Sequence, residues 1–337
     1  GRSKVYIKQT ADIDLNGKAF TPLASSVSSF EGYYDGGGHV IRNGKISAPT
    51  FAGVFGVVSG TVTRLGVENM TINYEKVDGR SGGIAARLTG NGEISYCFVK
   101  GCTVTNNGIQ GYYGQGVAGA IVSDMFDQAV IQNCFTLNNK VSATRAADIC
   151  SDTKSGTLIE RCYTDGNYLF RESGATITDS KPSMTAKQFS SGEVCYLLNG
   201  EKSDSSVIWR QTLGTDNVPV FTNNHGVVFG NLINETVKYS NTYVKPGYYI
   251  SSKEEFIAYI TKQADIYLTQ DIDLGEWNYE KNIIGNLDGC GHTVTYSGND
   301  SRGFISIIYP GGGIKHLRVE ANIVTSKGTC AGIVSTN

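Results

Sequence analysis

The sequence predicts an all-β chain wound as a right-handed parallel β-helix, a solenoid present in two consecutive copies with short capping helices. Three observations predict it. Segments of one pattern start at Gly53, Gly83, Gly119 and Asp148, separated by 30, 36 and 29 residues. The composition suits short strands and tight turns, with 42 Gly and 19 Tyr against 6 Pro and 3 Met. The opening of the pattern also returns late, where Asp271-Ile272-Asp273-Leu274 answers Asp12-Ile13-Asp14-Leu15.

The first copy, residues 1–182, opens on that Asp-Ile-Asp-Leu run and on the turn Asp35-Gly36-Gly37-Gly38-His39. Its coils then read small-apolar, turn, and apolar-x-x-Cys-aromatic. Examples are Ile94-Ser95-Tyr96-Cys97-Phe98, Ile131-Gln132-Asn133-Cys134-Phe135 and Ile159-Glu160-Arg161-Cys162-Tyr163. The spacing is too long for a hairpin and too irregular for a propeller blade. Strand-length apolar patches with no intervening helix predict coils that pair in parallel and bury their inward residues by stacking on neighbours. Such strands lie about 4.8 Å apart, so Cys97, Cys134 and Cys162 are expected to form one internal column. Buried Cys acts as a small hydrophobe, and stacked parallel side chains suit neither a disulfide nor a converging metal site.

The second coil is lengthened by Asn106-Asn107-Gly108-Ile109-Gln110-Gly111-Tyr112-Tyr113-Gly114-Gln115-Gly116. Paired Tyr on a Gly-flanked loop can stack on a sugar ring or dock a protein, so Gln110, Tyr112, Tyr113 and Gln115 are the candidate binding residues. The competing reading folds both Tyr onto the coil below. Tyr33-Tyr34 and Tyr248-Tyr249 are weaker candidates, since Tyr belongs in ordinary strands.

Residues 183–245 read as a helical cap and linker. Phe189, Val194, Leu197 and Leu198 give short helical turns stopped by Gly200, and Trp209 follows as a structural aromatic. Residues 246–337 read as the start of a second, shorter or truncated β-helix led by Ser252-Lys253-Glu254-Glu255-Phe256-Ile257, a Ser cap before an apolar stripe.

Charged residues are 18% of the chain and the net charge is -2, without a basic run to follow a phosphate backbone, so nucleic acid is excluded as a partner. No stretch of about 18 apolar residues occurs, which predicts no membrane insertion in this segment. His225 and His316 lack a carboxylate or Cys at ligand spacing, and no metal or cofactor is expected. Asp35 and Asp288 are the candidate carboxylates, but Asp in such turns bonds its own backbone. His39 and His292 occupy the same turn in both copies, which reads as scaffold.

The chain resembles the bacterial repeat proteins named for their GLUG motif. The resemblance rests on Ala52-Gly53-Val54-Phe55-Gly56, Ser81-Gly82-Gly83-Ile84-Ala85, Val117-Ala118-Gly119-Ala120-Ile121 and Cys330-Ala331-Gly332-Ile333-Val334, none a perfect Gly-Leu-any-Gly, and on the lead-in before them. It implies a secreted, adhesin-like protein at the bacterial cell surface, whose signal peptide and anchor lie outside this chain. A similar repeat accompanies immunoglobulin-cleaving metallopeptidases, but their His-Glu-x-x-His is missing here, as are Asn-Thr-Asp, Asp-Asp, Gly-His-Gly and Arg-x-Lys of β-helix hydrolases. The sequence therefore predicts no catalytic residues and no enzyme. It predicts a surface binding or adhesion module for a glycan or an extracellular host protein. The alternatives are a spacer in a larger surface protein and a polysaccharide lyase or hydrolase.

Overall fold

The computed structural model describes residues 5–24, 28–48, 50–74, 79–108, 116–171, 174–277, 281–299, 303–324 and 332–336. They form two compact units, residues 1–229 with 239–241, and residues 230–238 with 242–337. The candidate residues Gln110, Tyr112, Tyr113 and Gln115 lie outside the described residues.

The first unit is a parallel β-helix of five sheets. One coil runs through Thr61–Thr63, Gly66–Glu68, Thr71–Tyr74, Arg80–Gly82 and Ala85–Leu88 before the next begins at Glu93–Ser95. Val62 pairs with Ile94, Ile94 with Ile131 and Ile131 with Ile159, so successive coils take 32, 37 and 28 residues. Two corners are made by residues in the left-handed conformation. Arg64, Tyr96, Asn133 and Arg161 (φ 52°, 50°, 54° and 47°) stack in one, and Asn43, Asn69, Gly101 and Asn138 (φ 57°, 51°, 67° and 55°) in the other. Non-glycine residues visit this region rarely. The ladder holds them there, since each corner N–H donates to the coil above, as Arg64 does to Ser95 and Tyr96 to Gln132.

A third corner explains the small residues of the repeat. A Cβ on Gly82 would stand 1.9 Å from the Ala85 carbonyl oxygen, and one on Gly119 would stand 1.8 Å from that of Val122. The ladder matches Gly82 with Gly119 and Ala147. The equivalent positions are thus 82 and 147, one residue before the Gly83 and Asp148 expected from sequence.

Inside, Val62, Ile94, Ile131 and Ile159 are fully buried with Leu65, Val67, Val99 and their neighbours. Each such side chain contributes about 1.5–3 kcal/mol. Cys97, Cys134 and Cys162 are buried, free thiols directly after the first corner. The Cys97 N–H donates to Cys134 Sγ at 3.3 Å, while the thiols of Cys134 and Cys162 point to the carbonyls of Ile94 and Ile131 at 3.7 and 3.6 Å. The sulfur therefore fills the corner and takes a backbone donor that the turn removes from the regular ladder. Burial pushes the Cys134 thiol far up, so it stays protonated.

Helix α1 (Ala186–Ser190) is capped by Thr185, whose side chain and that of Gln188 form a reciprocal capping box. Helix α2 (Glu193–Leu198) follows directly. These helices do more than follow the last coil. With Trp209 and Phe221 they cover an outward aromatic column, in which Phe98 and Phe135 stack at 5.2 Å and Trp209 lies 5.2 Å from Phe135 and 4.3 Å from Phe221. Trp209 Nε1 donates to the Asn133 carbonyl at 3.0 Å, which satisfies the indole of a fully buried ring.

The second unit repeats the plan. Helix α3 (Lys253–Tyr259) is N-capped by Ser252 and buries Phe256 beneath three parallel sheets. Trp277 Nε1 donates to the Phe304 carbonyl at 3.0 Å inside a core with Phe256, Leu274, Ile283 and Leu287.

Candidate functional site

The first sheet of the second unit joins Tyr248–Ile250, Asp265–Leu268, Asn286–Asp288 and Gly313–Lys315 in parallel register. Side chains alternate along each strand. Ile266 and Leu287 pair in register and are buried. The residues beside them align in two outer columns, Tyr249-Tyr267-Asp288-Lys315 and Asp265-Asn286-Gly313. Tyr267, Asp288 and Lys315 of the first column, the second column and Lys245 line a cavity of about 430 Å³.

The polar groups of the cavity are cross-braced. Lys245 Nζ donates to Asp265 Oδ2 at 2.6 Å, Asn286 Nδ2 to Asp265 Oδ1 at 3.1 Å and the Tyr267 hydroxyl to Asp265 Oδ2 at 3.2 Å. Asp288 lies 3.0 Å from His316 Nδ1 and 3.4 Å from Lys315 Nζ, and accepts the Cys290 N–H at 3.0 Å. Lys245 and Asn286 hold the Asp265 carboxyl below the usual carboxylate range. Burial would raise Asp288, but the Cys290 N–H, His316 and Lys315 outweigh it and bring it down. Both carboxylates are therefore ionised acceptors at neutral pH. Tyr249 and Tyr267 stack with ring centres 4.9 Å apart, and Lys245 sits 5.5 Å over the Tyr267 ring.

Asp35 in the first unit stands where Asp288 stands in the second. It accepts the Gly37 N–H at 2.8 Å, as a turn Asp should, and also takes the Arg64 guanidinium, with Nε at 3.0 Å. Arg64 and His316 both occupy left-handed corners of the following coil. His39 Nδ1 meets Asp12 at 3.2 Å and His292 Nδ1 meets Asp271 at 3.4 Å, the same bond in each copy. His225 and His316, which have no carboxylate or Cys at ligand spacing in the sequence, each pair with one carboxylate, Asp216 at 2.6 Å and Asp288 at 3.0 Å. No group of three His, Cys, Asp or Glu that could hold a metal occurs among the described residues.

A second carboxylate arrangement was not anticipated from sequence. Asp124 and Asp152 are ladder partners on adjacent coils, buried to 1% and 4% exposure. Arg80 and Arg87 each reach Asp124 Oδ2 at 2.7 Å, and Arg145 reaches Asp152 at 2.9 Å. Arg87 lies between the Phe51 and Phe126 rings at 5.1 and 4.8 Å. Charges so buried persist only when paired, and these are. The available signal was a charged residue recurring at the coil period after the glycine corner, Arg87, Asp124 and Asp152, with Arg80 and Arg145 two coils apart before it.

No family model and no curated protein matches this sequence, so the likeness to GLUG-motif proteins rests on the quoted residues. A solved structure described as a "putative immunoglobulin A1 protease from Bacteroides ovatus" is similar, with 16% identity, 99% of this chain and 78% of that chain covered, and a TM-score of 0.37. The description of that structure as a protease stands against the expectation that this chain is not an enzyme. No described helix is long and apolar enough to cross a membrane.

Proposed function

We propose that this chain is a surface-binding module of a secreted or surface-attached bacterial protein, and that it holds a neutral glycan in the outer groove of the second unit. The supporting observation is the pairing of a tyrosine face with a braced set of hydrogen-bonding groups. Tyr267 offers an apolar ring to the C–H face of a sugar, while Asp265, Asn286 and Asp288 offer acceptors and an amide to its hydroxyls. Lys245 and Lys315 neutralise the two carboxylates from within the groove, which favours an uncharged ligand. The groups are already oriented by mutual hydrogen bonds, so little ordering is lost on binding.

Titration of the chain with neutral oligosaccharides and mucin-type glycans tests this reading. Tyr267→Ala is expected to weaken binding about tenfold, roughly 1.4 kcal/mol. Absence of binding to any such glycan, or equal binding by Tyr267→Ala, would remove the proposal. Analysis of the same mixtures for new reducing or unsaturated ends reads cleavage directly.

A further inference from the structure

A larger groove, about 690 Å³, opens on the first unit beside the strands Thr103–Asn106 and Lys140–Ser142. Thr103, Thr105, Ser142, Lys140, Tyr168 and Arg171 are among the residues that line it. The Arg171 guanidinium lies 4.3 Å over the Tyr168 ring, which is half exposed.

The wall carrying Tyr168 is fixed to the helix. Asp148 Oδ2 accepts the Tyr168 N–H at 2.9 Å, the Asp148 N–H donates to the Tyr168 carbonyl at 2.7 Å, and the Arg171 N–H donates to the Ser151 carbonyl at 2.9 Å. A Cβ on Gly166 would meet the Asp148 carboxylate at about 2 Å, so the chain passes close against it there. Asp148 is thus turned to the backbone, and Asp165 accepts the Asn138 N–H at 2.9 Å. Among the described residues, neither Lys140 nor Arg171 makes a salt bridge. The groove presents two exposed cations, a preoriented guanidinium and a row of hydroxyls.

We propose that this groove binds a saccharide chain bearing carboxylate or sulfate groups. Arg171 takes one anionic group through its paired N–H donors, Lys140 takes a second, and the Tyr168 ring receives the intervening sugar face. The site differs in unit, residues and ligand charge from the neutral groove, and stands whether or not that groove binds sugar.

The test titrates the full chain with a heparin-derived hexasaccharide, with trigalacturonate and with a neutral hexasaccharide. At least one acidic probe is expected to bind, more weakly as salt rises. Arg171→Ala is expected to weaken it at least about tenfold and Lys140→Ala less, while Tyr267→Ala in the other unit leaves it unchanged. Preference for the heparin fragment marks sulfate as the recognised group, and preference for trigalacturonate marks carboxylate. Unchanged thermal unfolding of the Arg171 and Lys140 variants separates lost contacts from lost structure. Failure of both acidic probes to bind overturns the proposal, as does equal binding of the neutral probe or full binding by both variants.

Discussion

The Asp35 carboxylate lies 2% exposed in a turn whose glycines bring the backbone close around it. Burial by itself would raise its pKa. The Arg64 guanidinium and the Gly37 N–H more than compensate, so the group sits below the usual carboxylate value. A depressed folded pKa contributes stability that is complete above the unfolded value of about 3.9 and is lost as pH falls through the lower folded value. Urea unfolding followed from neutral to acid pH is therefore expected to show a decline below about pH 4 that is shallower in Asp35→Asn. A variant that declines as steeply as the parent would show that Asp35 has no part in it. Asp288 makes the weaker version of this contact, because His316 stands where Arg64 stands and its ring is 67% exposed.

Among the elements, the corners carry the specificity of the winding. Gly119 is flanked by coils on both sides, and a Cβ there would meet the Val122 carbonyl at 1.8 Å and that of Ile149 at 3.2 Å. Gly119→Ala is expected to destabilise the first unit by about 1–3 kcal/mol, the cost of forcing extra volume into a packed site. Chemical denaturation measures it, and an unchanged midpoint would show that the corner yields. The last coil carries Ala147 in this register, but above it lies the chain around Tyr168 and Leu169 and not a full coil. The glycine corner was legible in the sequence because small residues recur at it, as Gly82, Gly119 and Ala147 do. The Cys column was legible because three cysteines recur in one motif. The corner at Arg64, Tyr96 and Arg161 was not, because these residues adopt the left-handed conformation under ladder constraint and not by preference. The neutral groove was half legible. Asp288 and the tyrosines stand out in the sequence, but Lys315 and His316 come from the next coil and meet Asp288 only once the register is known.

At the scale of the whole molecule, the two units are built around separate cores. Ile94, Cys97 and Ile131 belong to the core of the first, whose flank is sealed by the Trp209 cluster. Phe256, Trp277, Leu287 and Phe304 form that of the second. In a stacked repeat, stability is a sum of coil terms and nearest-neighbour terms, so cooperativity extends as far as the stacking does. The two helices do not share a sheet among the described residues, and each is led or flanked by its own helices. Two calorimetric transitions are therefore expected. Trp277→Ala removes a buried indole and its hydrogen bond to Phe304, a loss of about 3–5 kcal/mol, and should lower one midpoint by on the order of 10 °C. Trp209→Ala should lower the other and leave the first in place. A single transition moved by both substitutions would show instead that the units unfold as one, and that the stability of each coil is shared along the entire chain.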